Sequence, residues 1–313
     1  ALIQDMMSVI RHRGPDEDGT HFSANVGLGH LRLNIIDLST GKQPICNEDG
    51  SVWIIFNGEI YNYKELRSVL VDKGHTFRTA TDTEVIVHLY EEFGEAAIEK
   101  LWGMFSFAIW DNRKKTLLIA RDRVGIKPLY YALTPEALLF SSEVKAILRD
   151  PSVRAEMDPA QLDTFLTYLY VPGTETLFKG ISKLLPGHYM IVQDGKVRIQ
   201  QYWDLWFPGK KRTGSEADFE RDLVELLAET VRGHMIADVP VGVLLSGGVD
   251  STAMLSFATE QTGKQISTFT IGFEGKQFAD ERPYAQLAAD RYGARHFEMT
   301  ITARDFEECL PRY

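Results

Sequence analysis

The sequence predicts an α/β protein of two domains, an α+β amino-terminal part with antiparallel sheets and a carboxyl-terminal part built on a parallel sheet. Three observations carry this. Hairpin signals recur early: residues 104–110 and 116–120 flank Asp111-Asn112-Arg113-Lys114-Lys115, and residues 189–192 and 197–202 flank Asp194-Gly195, a dipeptide suited to a tight hairpin turn. Residues 207–214 are polar and rich in breakers, as linkers are. Beyond them an apolar run (239–245), a glycine-rich turn, a helix opening at Ser251 and a second apolar run (266–273) read as a βαβ unit. The expected domains are therefore residues 1–206 and 215–313, joined by the linker 207–214.

The elements follow in order. Leu2, Ile3, Met6, Met7 and Ile10 share one face of a first helix. Residues 53–56 read as a buried strand. A helix over 64–72 ends at Gly74, a left-handed cap. Thr81-Asp82-Thr83-Glu84 has the pattern of a capping box, with Ile86, Leu89, Tyr90 and Phe93 on one stripe and a stop at Gly94. After the linker, Ser215-Glu216-Ala217-Asp218 caps a long helix with Phe219, Leu223, Leu226, Leu227 and Val231 on its apolar face. Residues 239–245 read as a buried parallel strand.

Composition narrows the function. The 313 residues are 44% hydrophobic with a formal net charge of −10, so cores can form and nucleic acid is not an expected partner. No run approaches a membrane span, and the opening residues lack the basic flank and apolar segment of a secretory signal. Cys46 and Cys309 lie far apart with no metal-ligand spacing, which fits a reducing cytoplasm. The eight histidines show no HExxH or paired arrangement, so zinc is not expected.

Ser246-Gly247-Gly248-Val249-Asp250-Ser251 is the most informative stretch. It joins a strand to a helix amino terminus, where main-chain N–H groups and the helix dipole converge on an anion, and two glycines let that anion approach. The loop lacks the Lys-Ser/Thr ending of a Walker A loop. It resembles the pyrophosphate loop of N-type ATP pyrophosphatases. The rest of the chain resembles the glutaminase half of glutamine-hydrolysing asparagine synthetases. The resemblance rests on six segments in the family's order, all preceding the loop: residues 11–16 (RHRGPD), 31–37 (LRLNIID), 56–62 (FNGEIYN), 81–85 (TDTEV), 103–108 (GMFSFA) and 121–130 (RDRVGIKPLY).

This resemblance implies an N-terminal-nucleophile hydrolase domain, a four-layer αββα sandwich, followed by an incomplete ATP-pyrophosphatase domain. It implies an oxyanion hole from the Asn57 side-chain amide and the Gly58 N–H. Arg32 would clamp the glutamine α-carboxylate, with Leu33, Ile36, Asn57, Glu59 and Asp82 lining the rest of the glutamine site. Leu245, Ser246, Gly247, Gly248, Asp250, Ser251 and Ile271 would meet ATP, with Asp250 on Mg2+. The implied partners are glutamine, aspartate and ATP; a homodimer stays open. Read without the family, Asp82 is a helix-dipole residue, Asn57-Gly58 a plain turn, Arg32 a surface ion pair and Ile271 a buried strand residue.

The sequence departs from the family at both ends. Residue 1 is Ala where the family has its nucleophilic Cys, and residues 2–10 already read as the helix that follows the nucleophile's strand. Cys46, in Gln43-Pro44-Ile45-Cys46-Asn47, does not match the nucleophile position. The family's second acidic and glycine-rich active-site motif is expected beyond Tyr313. Two other functions stay open: amidation of a different carboxylate by a member of the same family, and a non-catalytic relic without the nucleophile.

Overall fold

The computed structural model describes residues 1–23, 25–207, 209, 212–275 and 280–310. The chain divides into two units, Ala1–Phe207 and Pro208–Tyr313. Of the expected linker, Pro208, Lys210 and Lys211 lie outside the described residues.

The first unit runs α1 (Leu2–Ser8), β1 (Glu17–Ser23), β2 (Val26–Arg32), β3 (Ile45–Cys46), β4 (Val52–Ile60), α2 (Tyr63–Asp72), α3 (Asp82–Phe93), β5 (Gly103–Asp111), β6 (Thr116–Arg121), β7 (Tyr130–Leu133), β8 (Leu138–Ser141), α4 (Val144–Ile147), α5 (Pro159–Tyr168), β9 (Ile181–Lys183), β10 (His188–Gln193) and β11 (Lys196–Gln201). A six-stranded antiparallel sheet has the order β11-β10-β6-β5-β4-β3. The pair β1-β2 and the three-stranded sheet β8-β7-β9 are separate from it. Leu28 of β2 packs with Ala108, Trp110, Leu117, Ile119 and Met190 of the large sheet, and Tyr131, Leu138 and Phe140 of the small sheet join the same cluster. Helix α3 packs on β3 and β4, while α1 lies on β2 and α4 on β7 and β8. The layers are thus helix, sheet, sheet and helix, the αββα arrangement that the resemblance implied.

Local chemistry explains most elements. Asp194 and Gly195 take left-handed φ values of 51° and 72°, as a tight hairpin between β10 and β11 requires. Gly94 ends α3 with φ 59°. At the start of α3 the Thr81 side chain accepts from the Glu84 N–H, but the expected capping box is half made. Glu84 turns its carboxylate to the Arg78 and Thr79 N–H groups instead, at 2.8 and 2.7 Å. Asn57 and Gly58 are not a turn: both lie inside β4, opposite Ser106 and Phe105 of β5. That strand runs on to Ile60, four residues past the apolar run that marked it.

The second unit runs α6 (Glu216–His234), β12 (Gly242–Leu244), α7 (Val249–Thr262), β13 (Ser267–Phe273), α8 (Arg282–Arg291), β14 (Arg295–Ile301) and α9 (Ala303–Cys309). Strands β12-β13-β14 are parallel, in that order. Ser215 forms the full capping box with Asp218 at the start of α6. The core gathers Val231, Leu245, Leu255, Ala258, Ile266, Ala285, Ala288 and Ala289.

Three expectations need correcting here. The strand expected over 239–245 is only Gly242–Leu244; Pro240 has no N–H to give a ladder. Leu244 is 79% exposed, so this edge strand is not buried on both faces. Helix α7 starts at Val249, two residues before Ser251, which puts Asp250 in its first turn. Ile271 is 55% exposed, not buried, because the β13 face that meets the core is the Thr268–Thr270–Gly272 face. Among the described residues no helix is long and apolar enough to cross a membrane.

Candidate active site

In the first unit, β2, the loop after it, β4 and the start of α3 enclose a cavity of about 200 Å3. Its walls include Arg32, Leu33, Ile36, Asn57, Gly58, Glu59 and Asp82, which is every residue of this unit that the sequence singled out. Asn57, His30 and Arg13 also line a second, more apolar cavity of about 160 Å3, with Ile3, Met7, Phe107 and Leu139.

Arg32 is the last residue of β2 and is buried. It is not a surface ion pair. One terminal nitrogen donates to Glu17 Oε2 at 2.8 Å; the other donates to the carbonyls of Ile36 and Asp37 at 2.8 and 2.7 Å. A guanidinium has five N–H donors, so two of them hold the loop, one pairs with Glu17 of β1 and two can meet a ligand. The loop is pinned from its far side as well. Asp37 sits at φ 54° and accepts from the Thr40 and Ala80 N–H groups at 2.9 and 2.8 Å. Burial alone would raise its pKa, but these bonds and those of the Thr40 side chain and Ser39 outweigh it and bring it to about 2.

The floor is β4. The Phe56 carbonyl accepts from Gln43 Nε2 at 3.0 Å and from His30 Nε2 at 2.9 Å. Since a carbonyl only accepts, His30 carries its proton on Nε2. Burial holds the His30 ring neutral, with its pKa down to about 4. Gly58 is required by a close approach: a Cβ there would stand 2.1 Å from the Met104 carbonyl and 2.8 Å from Phe105 Cα, both main chain of β5. The neighbouring strand, rather than an incoming molecule, is what excludes a side chain at this position.

Two carboxylates face each other beside this floor. Asp82, the first residue of α3, is 4% exposed, and its Oδ2 accepts from the Ile60 N–H at 2.9 Å. Its place at the helix terminus is thus coupled to a tertiary contact. Burial raises the pKa of both Asp82 and Glu59, and for Glu59 the Asp82 charge adds to the effect. The cations Lys127 and Arg32 act in the opposite sense on Glu59. Burial lowers the pKa of Lys127, which lies in the cavity wall.

Sequence reasoning quoted the segments holding Lys127, Arg13 and Gln43 without singling out those residues, and missed His30. Only proximity in the fold marks them. Cys46 is not among the residues lining this cavity; burial pushes its thiol up, away from the reactive thiolate.

In the second unit the loop 246–251 is built from main chain. The Ser246 N–H donates to Ser251 Oγ at 3.2 Å, and the Gly248 N–H donates to Ser246 Oγ at 3.3 Å. Gly247 has φ 79°, and a Cβ there would meet the Ala285 nitrogen of α8 at 2.5 Å. Gly248 is the N-cap of α7 and meets nothing closer than Ser246 Oγ, at 3.3 Å. Leu245 is buried and its N–H donates to the Phe269 carbonyl at 2.9 Å, so it is held as the last link of the sheet. Ile271 lies two residues further along β13 than Phe269.

Comparison with known proteins agrees with this division. Residues 1–203 match the family model described as "Glutamine amidotransferase domain", and residues 222–313 match that described as "Asparagine synthase". Glutamine-hydrolyzing asparagine synthetases 1 and 3 of Bacillus subtilis (strain 168) are similar at 39% and 34% identity, over 99% and 97% of this chain and 49% and 52% of their own lengths. A Gibberella zeae protein named Amidase chry2 is 36% identical over 99% of this chain and 48% of its own. The chain thus spans about half the length of these curated relatives. With a glutamine amidotransferase match over most of its length and an asparagine synthase match after it, the chain belongs to the glutamine-hydrolysing asparagine synthetase family.

Proposed function

We propose that the first-unit cavity binds glutamine and that the protein to which this chain belongs is a glutamine-dependent carbon–nitrogen ligase that makes asparagine. The observation that carries this is the pairing of opposite charges within one cavity: Arg32 and Lys127 on one hand, Glu59 and Asp82 on the other. An α-amino acid presents a carboxylate and an ammonium together. Two carboxylates whose pKa values are raised by burial, that of Glu59 further by the Asp82 charge, are a site short of a cation, and a ligand ammonium supplies one. Arg32 then meets the α-carboxylate with its two remaining donors. The Asn57 amide and the Gly58 N–H receive the oxyanion when the side-chain amide is attacked. Leu33 and Ile36 close the apolar side.

The second unit would use ATP. The main-chain N–H groups of the loop 246–251 and the amino terminus of α7 suit a pyrophosphate leaving from it, and Asp250 in the first turn suits Mg2+. Adenylation of the aspartate side-chain carboxylate, followed by attack of ammonia, gives asparagine. The amidase relative favours one second reading, amidation of another carboxylate on the same scaffold.

Calorimetric titration of the chain with glutamine tests the central step. Glutamine should bind, whereas N-acetylglutamine, which lacks the ammonium, should bind about 100-fold more weakly. Equal binding of the two, or no binding of glutamine, would reject the assignment.

A further inference from the structure

Away from both sites, Glu48, His75, His88 and Glu91 converge within 4.8 Å of one another. They come from three segments: the turn after β3, the loop between α2 and α3, and one face of α3, where His88 and Glu91 are three residues apart. His88 is fully buried and Glu48 sits at the rim.

We infer that Glu48, His75, His88 and Glu91 form a four-ligand site for a divalent transition metal of the zinc class, holding the α2–α3 loop and the turn after β3 onto α3. The first argument is the spacing of the donor atoms. His88 Nδ1 lies 3.1 Å from Glu91 Oε2 and 3.4 Å from Glu48 Oε2. His75 Nδ1 lies 3.2 Å from Glu48 Oε1 and 3.9 Å from Glu91 Oε2. Zinc bonds of 2.0–2.2 Å to nitrogen and oxygen in a tetrahedron put ligands roughly 3.3–3.6 Å apart. The observed separations bracket that range, so small side-chain adjustments seat the ion.

The second argument is the surrounding shell. Each imidazole turns Nδ1 inward. His75 Nε2 meets an outer carboxylate, Glu92 Oε1 at 3.3 Å, the form of a carboxylate–histidine–metal chain, in which the outer N–H fixes the ring and the inner lone pair is free to coordinate. His88 Nε2 is buried without a hydrogen-bond partner, 3.6 Å from Glu84 Oε1. Glu91 is held likewise: its Oε1 accepts from Asn47 Nδ2 at 2.6 Å and from Arg113 at 3.2 Å, which leaves Oε2 for the centre. The Thr76 N–H donates to Glu48 Oε1 at 3.0 Å. The two imidazole rings stand with their centroids 4.7 Å apart. The spacing of histidines along the chain hid the site, because its ligands lie on three separate segments.

The test uses the whole chain, stripped with a chelator and titrated with Co2+. One equivalent should give the intense visible bands of four-coordinate cobalt, and Zn2+ should displace it. His75→Ala and Glu48→Ala act at the rim of the site; circular dichroism identifies which of them keeps the fold, and each folded variant should lose the bands. Glu92→Gln should weaken metal affinity 10- to 100-fold. Absence of tetrahedral bands in the wild-type chain, or their survival in a folded His75→Ala or Glu48→Ala variant, overturns the inference.

Discussion

The two candidate sites present their polar groups by different means. The first-unit cavity is made of side chains drawn from β2, its loop, β4, α3 and the segment before β7, buried deeply enough that acid, base and cation shift one another. The second-unit loop is six consecutive residues whose working groups are main-chain N–H donors, held by two serines and a tightly packed glycine. A small zwitterion needs charges at defined separations in a low dielectric, which only side chains from several elements supply. A pyrophosphate needs many weak donors around one anion, which a single strand–turn–helix supplies.

The contrast predicts that substitutions in the cavity disturb folding and binding together, while those in the loop separate them. All five tryptophans lie in the first unit, so their fluorescence during urea unfolding reports on it alone. The largest effect is expected for Gly58→Ala, where the new methyl meets main chain of β5 and two paired strands must part. It should destabilise the first unit by about 3 kcal/mol. A midpoint unchanged from wild type would mean that β4 and β5 yield easily there.

Arg32→Ala comes next. It removes two hydrogen bonds that hold the loop and a third to Glu17, whose carboxylate is stranded, at a cost of about 2–3 kcal/mol. Glutamine affinity should fall about 100-fold in the same variant. Full stability with lost binding would show that Arg32 serves the ligand alone. In the second unit, Gly247→Ala should cost about 1–3 kcal/mol, read by hydrogen exchange in α7 and α8, since it combines a left-handed φ with contact on α8.

The carboxylate pair predicts a smaller, pH-dependent effect. Both folded pKa values lie above the unfolded ones, so the folded state binds more protons. Stability from this pair is fully present below the ordinary carboxylate range and is lost as pH rises through the raised values. Glu59→Gln should flatten the decline, stabilising the first unit in mildly alkaline buffer and not at pH 4, while weakening glutamine binding. The opposite slope in a wild-type pH series would sink the pairing. Smallest on stability is Asp250→Asn, in an exposed first turn: unfolding should move by less than about 0.5 kcal/mol while ATP protection against heat disappears. Retained ATP protection would remove Asp250 from the site.

How legible each site was follows from how it is built. The loop 246–251 could be read outright, since its spacing is contiguous and its glycines answer to local geometry. Its flanks were less legible: β12 is shorter and more exposed than its valines suggest, because a small parallel sheet has an outward face. The cavity residues were found through family motifs, and their physical roles were not. Asp82 reads equally as a helix-start residue until Ile60 is seen donating to it. Asn57-Gly58 reads as a turn until β5 is seen alongside. Lys127, Gln43 and His30 carry no periodicity or spacing that sets them apart.

Sequence by itself determined the hairpin at Asp194-Gly195, the capping of α6 by Ser215 and the glycine-rich turn that leads from β12 into α7. Each depends on interactions between residues a few positions apart, which the order of side chains fixes directly. Tertiary structure alone decided that Glu59 and Asp82 share one desolvated space with Lys127, that a neighbouring strand forbids a side chain at Gly58, and that two histidines and two glutamates from three segments meet beside α3. Those outcomes depend on burial and on distances between residues up to about 70 positions apart, which exist only once the sheets and helices have closed on one another.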